Sequence, residues 1–300
     1  MKIAIIGPGA TGCLFASLLT EAGHSCHLID KNSDRADFIS RNGIRIEGIG
    51  GKRHINITSS LPENYKETPE LTIVCVKAFD TEQAVISAKQ FIRPDTVVLS
   101  LQNGLGNLEA MQKHLPNTSL LAGTTTQGAT LLNKAQILHA GKGETIIGSH
   151  SDHALAIKIT ELLNNADIPA TATDSLTQTL WSKLIINSAI GPVTALSGLR
   201  NGEILEQPHW NKLLINTALE SASVAIGSGI TLVYEDPAKA VTDVCRVTAA
   251  NYSSMLQDVR AGRRTEIDAI NGMIIEQAEQ NNLESPLNRY LLTEIQAKTG

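Results

Sequence analysis

An α/β chain, in which a doubly wound sheet is followed by an all-helical domain, is predicted by three features of the sequence. A β-branched apolar segment at the start runs into a glycine-rich turn and then a helical pattern. Short apolar runs then alternate with helical ones up to about residue 170, and strand signals almost vanish beyond Ser175. The chain has 300 residues, more than one hydrophobic core usually organises, and a prior of roughly 150 residues per domain gives two. The boundary is expected after Ala170, dividing the chain into residues 1–170 and 171–300.

Lys2 to Ile6 reads as the first strand, Gly7 to Gly12 as a tight turn, and Thr11 to Ala22 as a helix with apolar positions at Leu14, Phe15, Leu18 and Leu19. Gly23 sits where a helix C-cap belongs, and Cys26 to Ile29 forms a second short strand ending in Asp30. Leu71 to Val76 and Thr96 to Leu101 read as buried parallel strands, with helices over Thr81 to Phe91 and Leu105 to His114. Leu120 and Leu121 mark a further strand, and the alternation over Gln136 to Gly148 reads as a β-hairpin adding antiparallel strands at one edge. A short strand over Ile168 to Thr171 closes this half. Amphipathic helices follow at Leu176 to Ala195, Trp210 to Ile226, Ala238 to Val259, Glu266 to Gln280 and Leu287 to Lys298.

Aromatic residues make up only 3% of the chain and the net charge is −5. A nucleic-acid surface needs stacking platforms and cations, so no nucleic-acid partner is expected. Cys13, Cys26, Cys75 and Cys245 form no CxxC pair and read as reduced structural thiols. His150 and His153 stand without further ligand-type neighbours, so no metal is expected. Gly7-Pro8-Gly9 interrupts the first apolar run before it could serve as a signal segment, and no run approaches the roughly 20 apolar residues of a membrane span. A cytoplasmic enzyme acting on small molecules is the expectation, with no membrane partner.

Gly7-Pro8-Gly9-Ala10-Thr11-Gly12 fits G-x-G-x-x-G directly after a strand and before a helix, inside a βαβ unit, which predicts a Rossmann-type dinucleotide site. The helix N-terminus would supply amides and a positive dipole end to the pyrophosphate. Asp30, at the end of the second strand, occupies the place of an acid that binds the ribose 2′-hydroxyl and points toward NAD. Lys31 and Arg35 point toward NADP, so the residues alone leave the cofactor open.

Lys183 and Asn187 lie four apart on an otherwise apolar helix and so share one face. By themselves they fit a snorkelling lysine and a solvated asparagine. A proton donor is the alternative, because a lysine partly shielded from water near a cationic nicotinamide has a lowered pKa. Gly262 should stop one helix, and Thr265 with Asp268 should start the next as an S/T-x-x-D/E cap. Glu266 would then be the first helical residue, favoured there by the dipole whether or not it also serves chemistry.

Val76-Lys77-Ala78, Gln102-Asn103-Gly104-Leu105-Gly106, Gly123-Thr124-Thr125, Leu180-Trp181-Ser182-Lys183-Leu184 and Ser253-Ser254-Met255-Leu256-Gln257-Asp258 through Thr265-Glu266-Ile267-Asp268-Ala269-Ile270-Asn271-Gly272, together with the glycine turn, resemble the motifs of the ketopantoate reductases (2-dehydropantoate 2-reductases) in order. The resemblance spans essentially the whole chain. It implies reduction of 2-dehydropantoate to (R)-pantoate in pantothenate synthesis, with Lys183 as general acid and Glu266 binding substrate and supporting the lysine. It places Lys77 and Asn103 at the nicotinamide, and Asn103, Asn187, Ser254 and Asp258 around the substrate. A basic residue after the second strand carries the family's NADPH preference and falls on Lys31, so NADP(H) is favoured, with NAD(H) left open by Asp30. The chain departs from the family at Gly191-Pro192, where Asn-Pro is usual, so one polar contact to substrate is missing or supplied elsewhere. Another branched 2-oxo acid, or NAD(P)H binding without turnover, are the rival readings. The long helices after Ser175 leave a homodimer open.

Overall fold

The computed structural model describes residues 1–299. Its contacts divide the chain into two compact units, one formed by Met1–Gln102 with Asn107–Leu176, the other by Asn103–Gly106 with the chain from Thr177 onward.

The first unit runs β1 (Lys2–Ile6), α1 (Ala10–Glu21), β2 (Ser25–Ile29), α2 (Ser33–Asn42), β3 (Ile44–Gly48), β4 (Arg53–Ile55), β5 (Thr58–Ser60), β6 (Leu71–Val74), α3 (Thr81–Ala88) and β7 (Val97–Ser100). It continues with α4 (Asn107–His114), β8 (Ser119–Thr125), β9 (Gly128–Asn133), β10 (Gln136–Gly141), β11 (Thr145–Gly148), α5 (His153–Asn165) and β12 (Ala170–Thr173). The main sheet has the order β12-β11-β8-β7-β6-β1-β2-β5. Its strands pair in parallel except at β11, which is antiparallel to β8. β1 lies between β2 and β6, so the winding reverses at its carboxyl end, the place where open α/β sheets bind ligands. Ile3 and Ile5 pack with Leu14, Phe15 and Leu19 of α1 on one face, whereas Ala4, Ile6, Val74 and Val98 pack with Val85 and Met111 on the other. Burial on both faces explains why these strands are continuously apolar rather than alternating.

A second sheet, β4-β3-β10-β9, covers the outer side of α1 through Ile44, Ile46 and Ile137. Its existence corrects the expected hairpin over Gln136 to Gly148. β10 pairs antiparallel with β9 and parallel with β3, while β11 joins the main sheet between β8 and β12. The division between units falls after Leu176, beyond the expected Ala170, because β12 extends to Thr173 alongside β11.

The second unit is helical: α6 (Leu176–Ser197), α7 (Pro208–Gly227), α8 (Pro237–Val247), α9 (Ser254–Arg260), a π-helical turn (Asp268–Gly272) leading into α10 (Met273–Gln280), and α11 (Pro286–Thr299). Leu184, Ile185, Ala189 and Val193 of α6 are buried with Ala218 of α7, Ile274 of α10 and Leu291 of α11 in one core. The expected single helix over Ala238 to Val259 is broken. Asn201 and Gly202 donate backbone bonds to the Asn251 and Ala249 carbonyls, and Ser253 caps the new start at Leu256 N–H. No helix among the described residues is long and apolar enough to cross a membrane.

Candidate active site

In the first unit the glycine turn is built by steric necessity. Gly7 has φ +96°, and a Cβ there would lie 2.7 Å from the Val76 backbone nitrogen. A Cβ on Gly12 would lie 2.2 Å from the Gly7 carbonyl oxygen, so α1 packs against the turn only without one. Beside Gly9 a Cβ would meet nothing within 4 Å. Gly9 is also the N-cap of α1 and offers no side chain to its amides, so the first-turn N–H groups at Ala10, Thr11 and Gly12 face an open cradle. Residues present therefore fit a pyrophosphate.

Asp30 lies one residue past β2 and is 3% exposed. Its carboxylate accepts from Arg35 Nε at 2.5 Å and from the Asn32 N–H at 3.0 Å. The Asn32 side chain, not Asp30, caps α2. Lys31 is exposed and reaches Asp80 Oδ2 at 2.7 Å. Lys77 opens the segment after β6. That segment is held by Gln102, whose Nε2 donates to the Val76 carbonyl at 3.0 Å and to Thr81 Oγ1 at 2.6 Å, while Thr81 donates to Asn107 Oδ1 at 2.9 Å. The buried trio of Gln102, Thr81 and Asn107 was not singled out by sequence reasoning, and only its place in the Gln102-Asn103-Gly104 motif could have flagged it.

The second unit gathers Lys183, Glu266 and Asn103. Among residues 181–190 only Lys183 and Asn187 are half-buried rather than buried, which puts them together on the one open face of this stretch of α6. Burial lowers the Lys183 pKa to about 8, and the nearby Glu266 carboxylate opposes that shift. Glu266 is itself 6% exposed, and Asn103 Nδ2 donates to its Oε2 at 3.4 Å. Asn103 is held there by its neighbours: Leu105 N–H donates to the Ala269 carbonyl, and Gly104, at φ +82°, packs so closely that a Cβ would sit 2.4 Å from that oxygen. Gly104→Ala is therefore expected to lower stability by about 1–3 kcal/mol, read as a fall in melting temperature, and to reduce turnover by freeing Asn103.

Thr265 does not cap the following helix as its sequence pattern suggested. The helix starts after Glu266 and opens in π geometry, the Glu266 carbonyl accepts from Ile270 N–H, and Thr265 Oγ1 is buried without a partner among protein atoms. Ser254 begins α9 and is exposed, next to Ser253, whose Oγ lies 2.6 Å from Thr194 Oγ1 of α6. Asp258 is buried, and Arg263 Nε donates to it at 3.0 Å, locking the end of α9. A Cβ on Gly191 would meet Met255 Cε at 3.3 Å, so an apolar thioether flanks the position where the family pattern has asparagine. The four thiols are free, with Cys13, Cys75 and Cys245 pushed up to about 12 and Cys26 to about 11 by burial. They hold their protons and are poor nucleophiles.

Residues 3–152 match the family model described as ketopantoate reductase PanE/ApbA, and residues 175–299 match the model of its C-terminal part. A 2-dehydropantoate 2-reductase of Pyrococcus horikoshii is 36% identical over 301 residues, covering 99% of this chain and 97% of its own. Among solved structures, the ketopantoate reductase of Ralstonia eutropha is 27% identical with TM-score 0.91, covering 100% of this chain and 98% of its own. A D-mandelate dehydrogenase with NADH and anilino(oxo)acetate is 26% identical with TM-score 0.93, at the same coverage.

Proposed function

The chain belongs to the ketopantoate reductase family, and from that premise we propose that it reduces 2-dehydropantoate to (R)-pantoate with a reduced nicotinamide nucleotide, a step of pantothenate synthesis. The observation that carries this reading is the half-buried Lys183, held near pKa 8 beside a buried Glu266. Such a lysine is protonated at neutral pH yet gives up its proton readily.

When bound, the nucleotide supplies the hydride to the carbonyl carbon of the substrate. The glycine turn and the α1 amides would hold its pyrophosphate, and the family resemblance assigns Lys77 and Asn103 to its nicotinamide end. Lys183 donates a proton to the carbonyl oxygen as the carbon–oxygen π pair collapses onto it, leaving a hydroxyl and a neutral amine. Glu266 keeps the ammonium charged before the step and, with Asn187 and Ser254, orients the substrate's polar groups. Asp258 acts through Arg263, fixing the end of the helix that Ser254 begins.

The kcat for reduction should be flat at neutral pH and fall above about pH 8 as Lys183 loses its proton. Glu266 raises that pKa, so in Glu266→Gln the alkaline limb of the profile is expected to move to lower pH. An unmoved limb would separate Glu266 from the lysine's titration.

NADP(H) is favoured because the Asp30 carboxylate is already engaged by Arg35 and the Asn32 amide, which offsets its repulsion of a 2′-phosphate, and the exposed Lys31 next to it is held only by a surface ion pair with Asp80. A free Asp30 carboxylate would instead favour NAD(H) through the ribose hydroxyls. A second substrate reading, another branched 2-oxo acid, is favoured by Met255 beside Gly191. Nucleotide oxidation measured with 2-dehydropantoate and a panel of branched and aromatic 2-oxo acids, with NADPH and NADH in parallel, tests all of this. Preference for 2-dehydropantoate and NADPH is the expected result; nucleotide binding without turnover on any oxo acid would overturn the enzyme reading. A cytoplasmic homodimer completes the proposal, with the exposed Ile226 and Val247 of the helical unit available to a second copy.

A further inference from the structure

Pro192 lies inside α6 and has no N–H, so the Ser188 carbonyl loses the donor that an unbroken helix would give it. The carbonyl is not left bare. Asn271, from the π-helical turn, donates Nδ2 to Ser188 O at 3.0 Å and to Asn288 Oδ1 of α11 at 2.9 Å. Both neighbours are acceptors, which fixes the amide with its nitrogen toward them. Asn288 in turn donates to Ser221 Oγ at 3.0 Å and to Glu220 Oε1 at 2.9 Å, both on α7, and Ser221 Oγ lies 2.9 Å from Ser188 Oγ. These bonds close a ring through Asn271, Ser188, Ser221 and Asn288, each of them fully buried. The ring ties the helix that carries Lys183 and Asn187 to the turn that follows Glu266, since Ser188 adjoins Asn187 and Asn271 lies one helical turn beyond Glu266.

Asn271 is not explained by stability alone. Its Oδ1 is buried without a partner among protein atoms, an arrangement that costs free energy and that an apolar side chain of the same shape would avoid. The turn that holds it is π-helical, an irregularity that collects at functional sites. We propose that Asn271 is a positioning residue for the reaction: by tethering the Ser188 carbonyl to the π-helical turn, it sets the segment bearing Lys183 and Asn187 against the turn bearing Glu266. The proposal rests on the assignment of Lys183 and Glu266 to proton delivery.

The test is a double-mutant cycle. Asn271→Ala removes the tether, and Pro192→Ala restores a backbone donor for Ser188. Melting temperature, kcat, KM for the oxo acid and nucleotide Kd are measured on all four proteins. In both the wild-type and the Pro192→Ala backgrounds, Asn271→Ala should lower kcat by about tenfold or more, as a displaced reactive group does, with nucleotide Kd changed less than about twofold. If Asn271 merely satisfied a bare carbonyl, the loss of kcat would disappear in the Pro192→Ala background along with the loss of stability, and the proposal would fall. Should Asn271→Ala be too unstable to assay alone, the comparison in the Pro192→Ala background carries the test. Wild-type turnover and its loss in Lys183→Ala are measured first. An inactive wild type defeats the functional reading and this proposal with it, whereas active wild type, inactive Lys183→Ala and unchanged Asn271→Ala defeat the positioning role alone.

Discussion

Lys183→Ala is expected to lower kcat by about 10²–10⁴-fold, the usual contribution of a positioned acid, while nucleotide Kd changes no more than a few fold. The separation follows from where the side chain sits. Lys183 belongs to the helical unit, and the glycine turn that would hold the pyrophosphate belongs to the other. Steady-state rates at saturating oxo acid, with nucleotide binding followed by fluorescence, check both halves. Deleting a half-buried lysine that carries a desolvation penalty should not cost the fold, so an unchanged melting temperature is part of the expectation. Unchanged kcat would end the general-acid assignment, and a collapse of nucleotide affinity would turn Lys183 into a binding residue instead.

Gly9→Ala is the second large effect. The new methyl meets no protein atom within 4 Å, and Gly9 has φ −72°, which any residue adopts. Losing glycine at this N-cap costs the fold at most about 1 kcal/mol. A pyrophosphate pressed against those amides would be held off by the methyl, forfeiting charge-assisted bonds of roughly 1.5–3 kcal/mol each. Nucleotide Kd should therefore rise by about 10- to 100-fold, with folding nearly intact. Gly12→Ala provides the contrast, because its methyl would strike the Gly7 carbonyl at 2.2 Å and disturb the turn itself. Calorimetric titration of the two variants beside their melting curves distinguishes a lost cradle from a damaged fold.

The first βαβ unit and the helical character beyond Ser175 were legible because their signals are local: apolar runs, a glycine fingerprint, and 3.6-residue periodicity. The second sheet was not. β3 and β10 pair in parallel from distant parts of the first unit, and although Ile44-Arg45-Ile46-Glu47 alternates as a half-buried strand does, β3 has only five residues and β4 only three, so neither run is long enough to stand out. α2 escaped notice because only Ala36 and Ile39 of its ten residues are buried, too few to make a stripe. The break between α8 and α9 has no proline or glycine to mark it, since it is imposed by Asn201 and Gly202 competing for carbonyls from elsewhere in the fold. At the candidate site, Lys183 and Asn187 were recognisable as polar positions on an apolar helix, and the structure adds the burial that lowers the lysine's pKa. The bond between Asn103 and Glu266 spans 163 positions of sequence, and the placement of residues 103–106 with the helical unit depends on Gly104 against Ala269. Such contacts leave no periodic trace. Thr265 shows the opposite failure, a cap pattern present in sequence that the structure does not use.

In the proposed reaction a hydride passes from a reduced nicotinamide to the carbonyl carbon of a 2-oxo acid. The most direct measurement supplies the enzyme with nucleotide deuterated at the transferable C4 position together with 2-dehydropantoate, and examines the product by mass spectrometry and proton NMR. Pantoate carrying deuterium at C2, formed with one nucleotide oxidised per molecule of product, is the predicted result. Unlabelled product, or nucleotide bound without any label leaving it, would contradict the account.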